Sequence, residues 1–196
     1  MKICVISDTH ANRMADLPPT LVSIIKDSDA IIHLGDFNKI ELVHELKQFG
    51  KLYGVSGNHD CITIKQTLPE TDILEIDGKR LGLIHGNGSS RKSVLQGGLL
   101  ARFKGQKLDA LLYGHTHITQ NIVIDDTLFF NPGSVAGRFP AYRSSYGILH
   151  VNGTIEAEVM SLIPHYRKGT FWHRHPKLLA LLQAPRKAFY IAVSTW

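Results

Sequence analysis

Along the first half of the chain, apolar residues fall into short, often β-branched runs separated by stretches of helical periodicity. Residues 2–7, 30–34 and 51–55 are such runs, bounded by Gly, Asn or Asp, and predict buried strands. Between them, a helix is expected to start near Pro18 and Pro19, where proline suits a first turn, with Leu21, Val22, Ile24 and Ile25 on one face. A second helix is expected over residues 39–49, carried by Ile40, Val43 and Leu46. The order strand, helix, strand, helix, strand predicts a parallel sheet flanked by helices.

The second half changes character. Residues 73–76 and 80–85 flank Asp77-Gly78-Lys79, a hairpin signal. A helix carrying Val94, Leu95, Leu99 and Phe103 is expected next, weakened in its middle by Gly97 and Gly98. Further strands are expected over 109–113, 122–124, 127–130, 146–151 and 155–162, punctuated by Asp125-Asp126, Asn131-Pro132-Gly133 and Asn152-Gly153. These read as antiparallel strands, so the expected architecture is a mixed α/β chain with two packed sheets and helices outside. Residues 164–196 break the pattern. Pro164, Pro176 and Pro185 divide them, and only Leu178, Leu179, Leu181 and Leu182 suggest a short helix.

Composition adds bounds. With 196 residues and 43% apolar side chains the chain can build a full core, and two cysteines are too few for an extracellular disulfide framework. The N-terminal apolar run turns polar at Asp8, too short for a signal peptide, and no stretch approaches a membrane span, so a soluble, cytoplasmic protein is expected. The net charge of +5 is uneven, because six basic residues and no acidic ones follow Glu158, while the preceding part carries 16 basic and 17 acidic side chains. A basic tail describes attraction to polyanions, not fold.

The candidate chemistry lies where apolar runs stop. Five of them close at Asp8, at Asp36 after Gly35, at Asn58 after Gly57, at His85 before Gly86 and at His115 after Gly114. Residues just past the carboxyl ends of neighbouring strands converge on one crevice, and glycine permits the sharp turn there. In extended backbone, residues two apart face the same way, which predicts that Asp8 pairs with His10 and His115 with His117. The resulting seven oxygen and nitrogen donors exceed what one tetrahedral ion uses and suit two ions sharing a carboxylate. The absence of thiolates disfavours a structural zinc site.

Asp8-x-His10, Gly35-Asp36, Gly57-Asn58-His59-Asp60, His85 and Gly114-His115-x-His117, in that order, resemble the calcineurin-like metallophosphoesterase family, and the size resembles its small bacterial and archaeal phosphodiesterase branch. The resemblance covers residues 1–162, leaving 163–196 as a basic C-terminal appendage of unknown role. It implies an α/β fold, a four-layer αββα sandwich with mixed sheets, and a two-metal site. Asp8, His10, Asp36 and His117 would hold one ion; Asp36, Asn58, His85 and His115 would hold the other, with Asp36 as the bridge. Manganese is the expected ion, and iron, zinc and nickel also fit these donors. One departure stands out. Members of the branch often carry a second histidine where this chain has Asn87.

The expected activity is hydrolysis of small phosphodiesters by a metal-bridging hydroxide. The resemblance makes His59 the proton donor to the leaving group; Asp60, next to it, is expected to orient the ring. Asn12 and Arg13 follow the first ligand pair closely enough to meet a phosphate oxygen, whereas His33, His44 and His150 read as structural. Two alternatives remain open at this level. One is a non-catalytic scaffold on the same fold, against which all seven donors and His59 stand. The other is a nuclease guided by the tail, whose basic residues are interleaved with Tyr166, Trp172 and Tyr190, although a tail without that role is favoured.

Overall fold

The structure, a computed structural model, describes residues 1–88, 97–138, 140–141 and 143–162. It contains ten strands: β1 (Lys2–Ile6), β2 (Ala30–His33), β3 (Lys51–Gly54), β4 (Thr71–Ile76), β5 (Lys79–Ile84), β6 (Ala110–Tyr113), β7 (Gln120–Ile124), β8 (Thr127–Asn131), β9 (Ser145–Asn152) and β10 (Thr154–Ser161). Three α-helices accompany them: α1 (Pro19–Lys26), α2 (Ile40–Phe49) and α3 (Ile62–Thr67). The basic tail and the expected positions Val94 and Leu95 lie outside the described residues. Among those described, no helix is long and apolar enough to cross a membrane.

Two five-stranded sheets form, ordered β10-β9-β1-β2-β3 and β4-β5-β6-β8-β7. In the first, β1, β2 and β3 are parallel, joined through α1 and α2 as the alternating pattern predicts, and β9 and β10 add antiparallel strands at the β1 edge. The second sheet corrects an expectation. Its outer pairs β4–β5 and β7–β8 are antiparallel hairpins, but β6 runs parallel to both β5 and β8. Side-chain alternation fixes which face a residue takes and carries no information on strand direction, so this could not be read from the sequence. The β4–β5 hairpin turns on Asp77 and Gly78, both at positive φ (48° and 74°), as a two-residue turn of this kind requires.

Alternation sorts the apolar residues into layers. In β1, Ile3 and Val5 join Leu81, Leu83, Leu112 and Phe130 in the core between the sheets, while Cys4 and Ile6 face the helix layer, with Leu21, Ile25, Leu42 and Leu46. On the far side of the second sheet, Leu111, Tyr113 and Phe129 pack with Leu99, Phe103 and Leu108. The layering is the αββα sandwich. Each fully buried Leu, Ile or Val contributes about 1.5–3 kcal/mol by leaving water. Cys4 is part of this core; burial pushes its thiol pKa up to about 12, and both cysteines are free.

Two local elements differ from expectation. The helix expected around Phe103 is, in its described part, a single 3-10 turn over Leu100–Phe103 that ends at Lys104 in left-handed backbone. Helix α3 gives no periodic signal, because only Ile64 of its six residues is buried while Ile62 is exposed.

Candidate metal centre

Five strands deliver the candidate ligands. Asp8, Asp36 and Asn58 follow the carboxyl ends of the parallel strands β1, β2 and β3, and His85 and His115 follow those of β5 and β6. The parallel β5–β6 pairing is therefore decisive: antiparallel strands would have sent His85 and His115 to opposite ends of their sheet.

The seven side chains come together. Asp8 Oδ1 lies 3.1 Å from His117 Nε2, Asp36 Oδ1 lies 3.5 Å from His85 Nε2, and Asp36 Oδ2 lies 4.0 Å from His10 Nε2. Asn58 Oδ1 is 3.0 Å from His85 Nε2, and the His85 and His115 rings meet edge to face at 5.2 Å between centroids. Nitrogen and oxygen ligand atoms of Asp8, His10 and His117 fall within 4.8 Å of one another, and so do those of Asp8, Asp36 and His85.

The ligand pairs do not arise from extended backbone. Asp8, His10, Asp36, His115 and His117 all have positive φ, from 44° to 63°. Each such non-glycine residue costs about 1–3 kcal/mol and persists only where its surroundings hold it. Those surroundings are visible. The Asp8 N–H donates to the Gly35 carbonyl and the His10 N–H to the Asp36 carbonyl, both at 3.0 Å, and Ser134 Oγ donates to the Asp8 carbonyl at 3.1 Å. Asn131 donates its amide to the Gly114 carbonyl at 3.0 Å, so the end of β8 and the segment after it brace both histidine and aspartate loops. Glycine is needed for contact as well: a Cβ on Gly57 would collide with the Asp36 carboxylate, and one on Gly114 with the Ser7 hydroxyl.

Hydrogen bonds also set the imidazoles. His85 Nδ1 lies 2.7 Å from the Leu34 carbonyl and His117 Nδ1 lies 3.1 Å from the Arg138 carbonyl. A carbonyl only accepts, so in each neutral ring the proton sits on Nδ1 and the Nε2 lone pair points into the cluster, the arrangement of a metal-ligating histidine. Burial lowers the pKa of His10 and of His115, which favours neutral rings. Burial also acts against the charged form of His85, but the Asp36 and Asp8 carboxylates outweigh it and its pKa is raised. For Asp36, burial is overcome by His85 and by the His59 backbone N–H, leaving its pKa at about 2. Facing acceptor lone pairs, as at Asn58 Oδ1 and His85 Nε2, are repulsive unless a proton or a cation lies between them. The donor set therefore fits divalent cations: two buried carboxylates to offset charge, with imidazoles and an amide that leave Lewis acidity intact.

His33, expected as structural, is fully buried and braces the loops. The Gly35 N–H donates to its Nδ1 (3.2 Å), so the proton is on Nε2 and is donated to Thr9 Oγ1 at 3.0 Å. One neutral ring thereby links the residue between Asp8 and His10 to the residue before Asp36, and it stacks on Phe37 at 3.4 Å.

The remaining expected residues separate. His59 is exposed, its N–H donates to Asp36 Oδ1 at 2.9 Å, and its ring meets that of His10 edge to face at 5.9 Å. Asp60, expected to orient the His59 ring, has contacts that the sequence did not suggest. Its buried carboxylate accepts the N–H groups of Gly57 (2.7 Å), Phe37 (2.7 Å) and Asp36 (3.1 Å), which makes it a clamp between the loops of Asp36 and Asn58. Asp60→Ala leaves three N–H groups without their acceptor and should lower stability by about 3 kcal/mol, or roughly 6–12 °C in Tm for a domain of this size. Thermal unfolding checks this; an unchanged Tm with lost activity would point back to direct catalysis. Asn12 Oδ1 accepts from Asn38 Nδ2 at 2.6 Å, and Arg13 precedes a 3-10 turn at Met14–Asp16, so neither side chain is seen joining the cluster. Sequence reasoning did not single out Arg138, whose carbonyl lies 3.1 Å from His117 Nδ1 and whose positive charge acts with burial to lower the pKa of His10.

Comparison with known proteins agrees with this geometry. Over 136 residues the chain is 38% identical to a probable metallophosphoesterase of Methanocaldococcus jannaschii, covering 68% of each chain. It is 29% identical to a phosphodiesterase of the same archaeon, over 70% of this chain and 86% of that one. The solved structure of vacuolar protein sorting 29 from Cryptosporidium parvum superposes with a TM-score of 0.62 over 82% of this chain and 97% of that chain; at 21% identity, this likeness concerns the fold alone. Residues 1–154 match the family model of the calcineurin-like phosphoesterase superfamily domain, the span that carries every ligand loop described above, and the chain belongs to that superfamily.

Proposed function

We propose that this phosphoesterase is a divalent-metal-dependent phosphodiesterase acting on small phosphodiesters. Asp8, His10, Asp36 and His117 would hold one ion, and Asp36, Asn58, His85 and His115 the other, with manganese the expected metal. The observation that carries the reading is Asp36, whose two oxygens face different imidazoles, His85 and His10. When bound, a pair of divalent cations supplies charge neutralisation for the phosphate and a nucleophilic water at neutral pH.

The protein's own groups do the rest. Asp8 and Asp36 fix the negative charge of the centre, and the carbonyl-anchored rings of His85 and His117 hold their Nε2 atoms in place. His59, exposed and tied to Asp36 through its backbone N–H, would give a proton to the departing alkoxide. Arg138, whose positive charge acts on His10, would receive a non-bridging phosphate oxygen. The archaeal relative at 29% identity is named as a phosphodiesterase, which supports a diester substrate.

The test is hydrolysis of bis(p-nitrophenyl) phosphate by chelator-stripped protein reloaded with single ions. Stripped protein should be inactive and Mn²⁺ should restore turnover, with p-nitrophenyl phosphate the poorer substrate. Preference for the monoester would make the protein a phosphatase. Inactivity with manganese, iron, zinc and nickel alike would favour the scaffold alternative.

A further inference from the structure

A pocket of about 270 Å³ opens beside the centre, lined among others by Asn58, Lys65, Glu70, Ile84, Asn87 and Arg102. We infer that it is a subsite for a second phosphate carried on one arm of the phosphodiester substrate, bound by Lys65 and Arg102. This rests on the phosphodiesterase reading and narrows it to substrates with two phosphates.

The geometry begins at Asn58, which is a candidate metal ligand through its side chain and a wall of the pocket. Lys65, projecting from α3, donates from Nζ to the Asn58 carbonyl at 3.0 Å, so a full positive charge is pinned directly next to the centre. That bond uses one of three ammonium donors and leaves two for a ligand. Arg102 faces the same space from the 3-10 turn at Leu100–Phe103, and its partner is Glu70 at 3.4 Å. Their side chains are 55% and 82% exposed, so this ion pair contributes little and gives way to a phosphate, which the guanidinium can bind through two parallel N–H groups.

The other lining residues fit an arm that ends in an anion. Ile84, mostly buried, adds an apolar contribution to the wall, and Asn87 adds a neutral amide. Two cations against one carboxylate leave the pocket net positive. Glu70 acts as a placeholder: it neutralises Arg102 in the free protein and competes with the ligand.

Manganese-supplied protein should bind thymidine 3′,5′-bisphosphate more tightly than thymidine 5′-monophosphate by about tenfold, as read by titration calorimetry. In a Lys65→Met/Arg102→Met double variant, altered at exposed positions, the ratio should fall to near one. Glu70→Gln should raise it, because the competitor for Arg102 is gone, and a purely structural role for these side chains would not produce that increase. No preference in the wild type, a preference that survives the double variant, or a lower ratio in Glu70→Gln would each overturn the subsite. Hydrolysis of bis(p-nitrophenyl) phosphate without a bisphosphate preference sinks the subsite alone. A preference without any such hydrolysis sinks the phosphodiesterase reading instead.

Discussion

Asp36→Asn protein should come off a metal-loading column with less than one ion per chain and lose about 1,000-fold or more in turnover, the rate equivalent of about 4 kcal/mol. The reason lies in the two oxygens. Oδ1 sits 3.5 Å from His85 and Oδ2 sits 4.0 Å from His10, so one carboxylate serves both halves of the cluster. An amide keeps the shape but offers one acceptor and no charge, and two cations then face each other with less to offset their repulsion. The same substitution leaves the His59 N–H with an acceptor if the amide oxygen takes the Oδ1 position, so the fold should be retained. Metal content by elemental analysis and a melting curve check both halves. A variant that still binds two ions tightly would remove Asp36 from the bridging role.

His59→Ala should behave oppositely in metal content and similarly in rate. Its ring lies at the rim, 5.9 Å from that of His10, and its side chain has no place in the candidate donor set, so the ions should stay. Loss of a general acid lowers turnover by roughly 100- to 10,000-fold. The loss should shrink for substrates with good leaving groups such as p-nitrophenolate, which need little protonation, and grow for alkyl esters. Loss of metal, or an equal loss for both classes of ester, would contradict the assignment.

Much of this was legible in the sequence for a simple reason. Candidate ligands interrupt apolar runs, and β1, α1, β2, α2 and β3 follow the periodicities of buried strands and amphipathic helices closely, so the order of the motifs and the sheet that presents Asp8, Asp36 and Asn58 were readable together. The β4–β5 hairpin was readable from Asp77-Gly78. What stayed hidden depends on long-range contact. The direction of β6 is set by pairing with β5 and β8, not by its own residues. The left-handed backbone at Asp8, His10, His115 and His117 replaces the extended geometry expected there, because bonds to Gly35, Asp36 and Ser134 hold the loop of Asp8 and His10, and bonds to Asp8, Asn131 and Arg138 hold that of His115 and His117, in shapes that short-range preference disfavours. The backbone contacts of Asp60 were hidden for a related reason. Its neighbour in sequence is His59, but its hydrogen bonds reach back to Asp36 and Phe37.

Whether two cations share Asp36 is decided by low-temperature electron paramagnetic resonance of the Mn²⁺-loaded protein. Two Mn²⁺ per chain with the multiline signature of a spin-coupled pair are expected, replaced in Asp36→Asn by uncoupled or absent signals. A simple six-line spectrum from a single isolated ion in the wild-type protein, at full metal loading, would contradict that sharing.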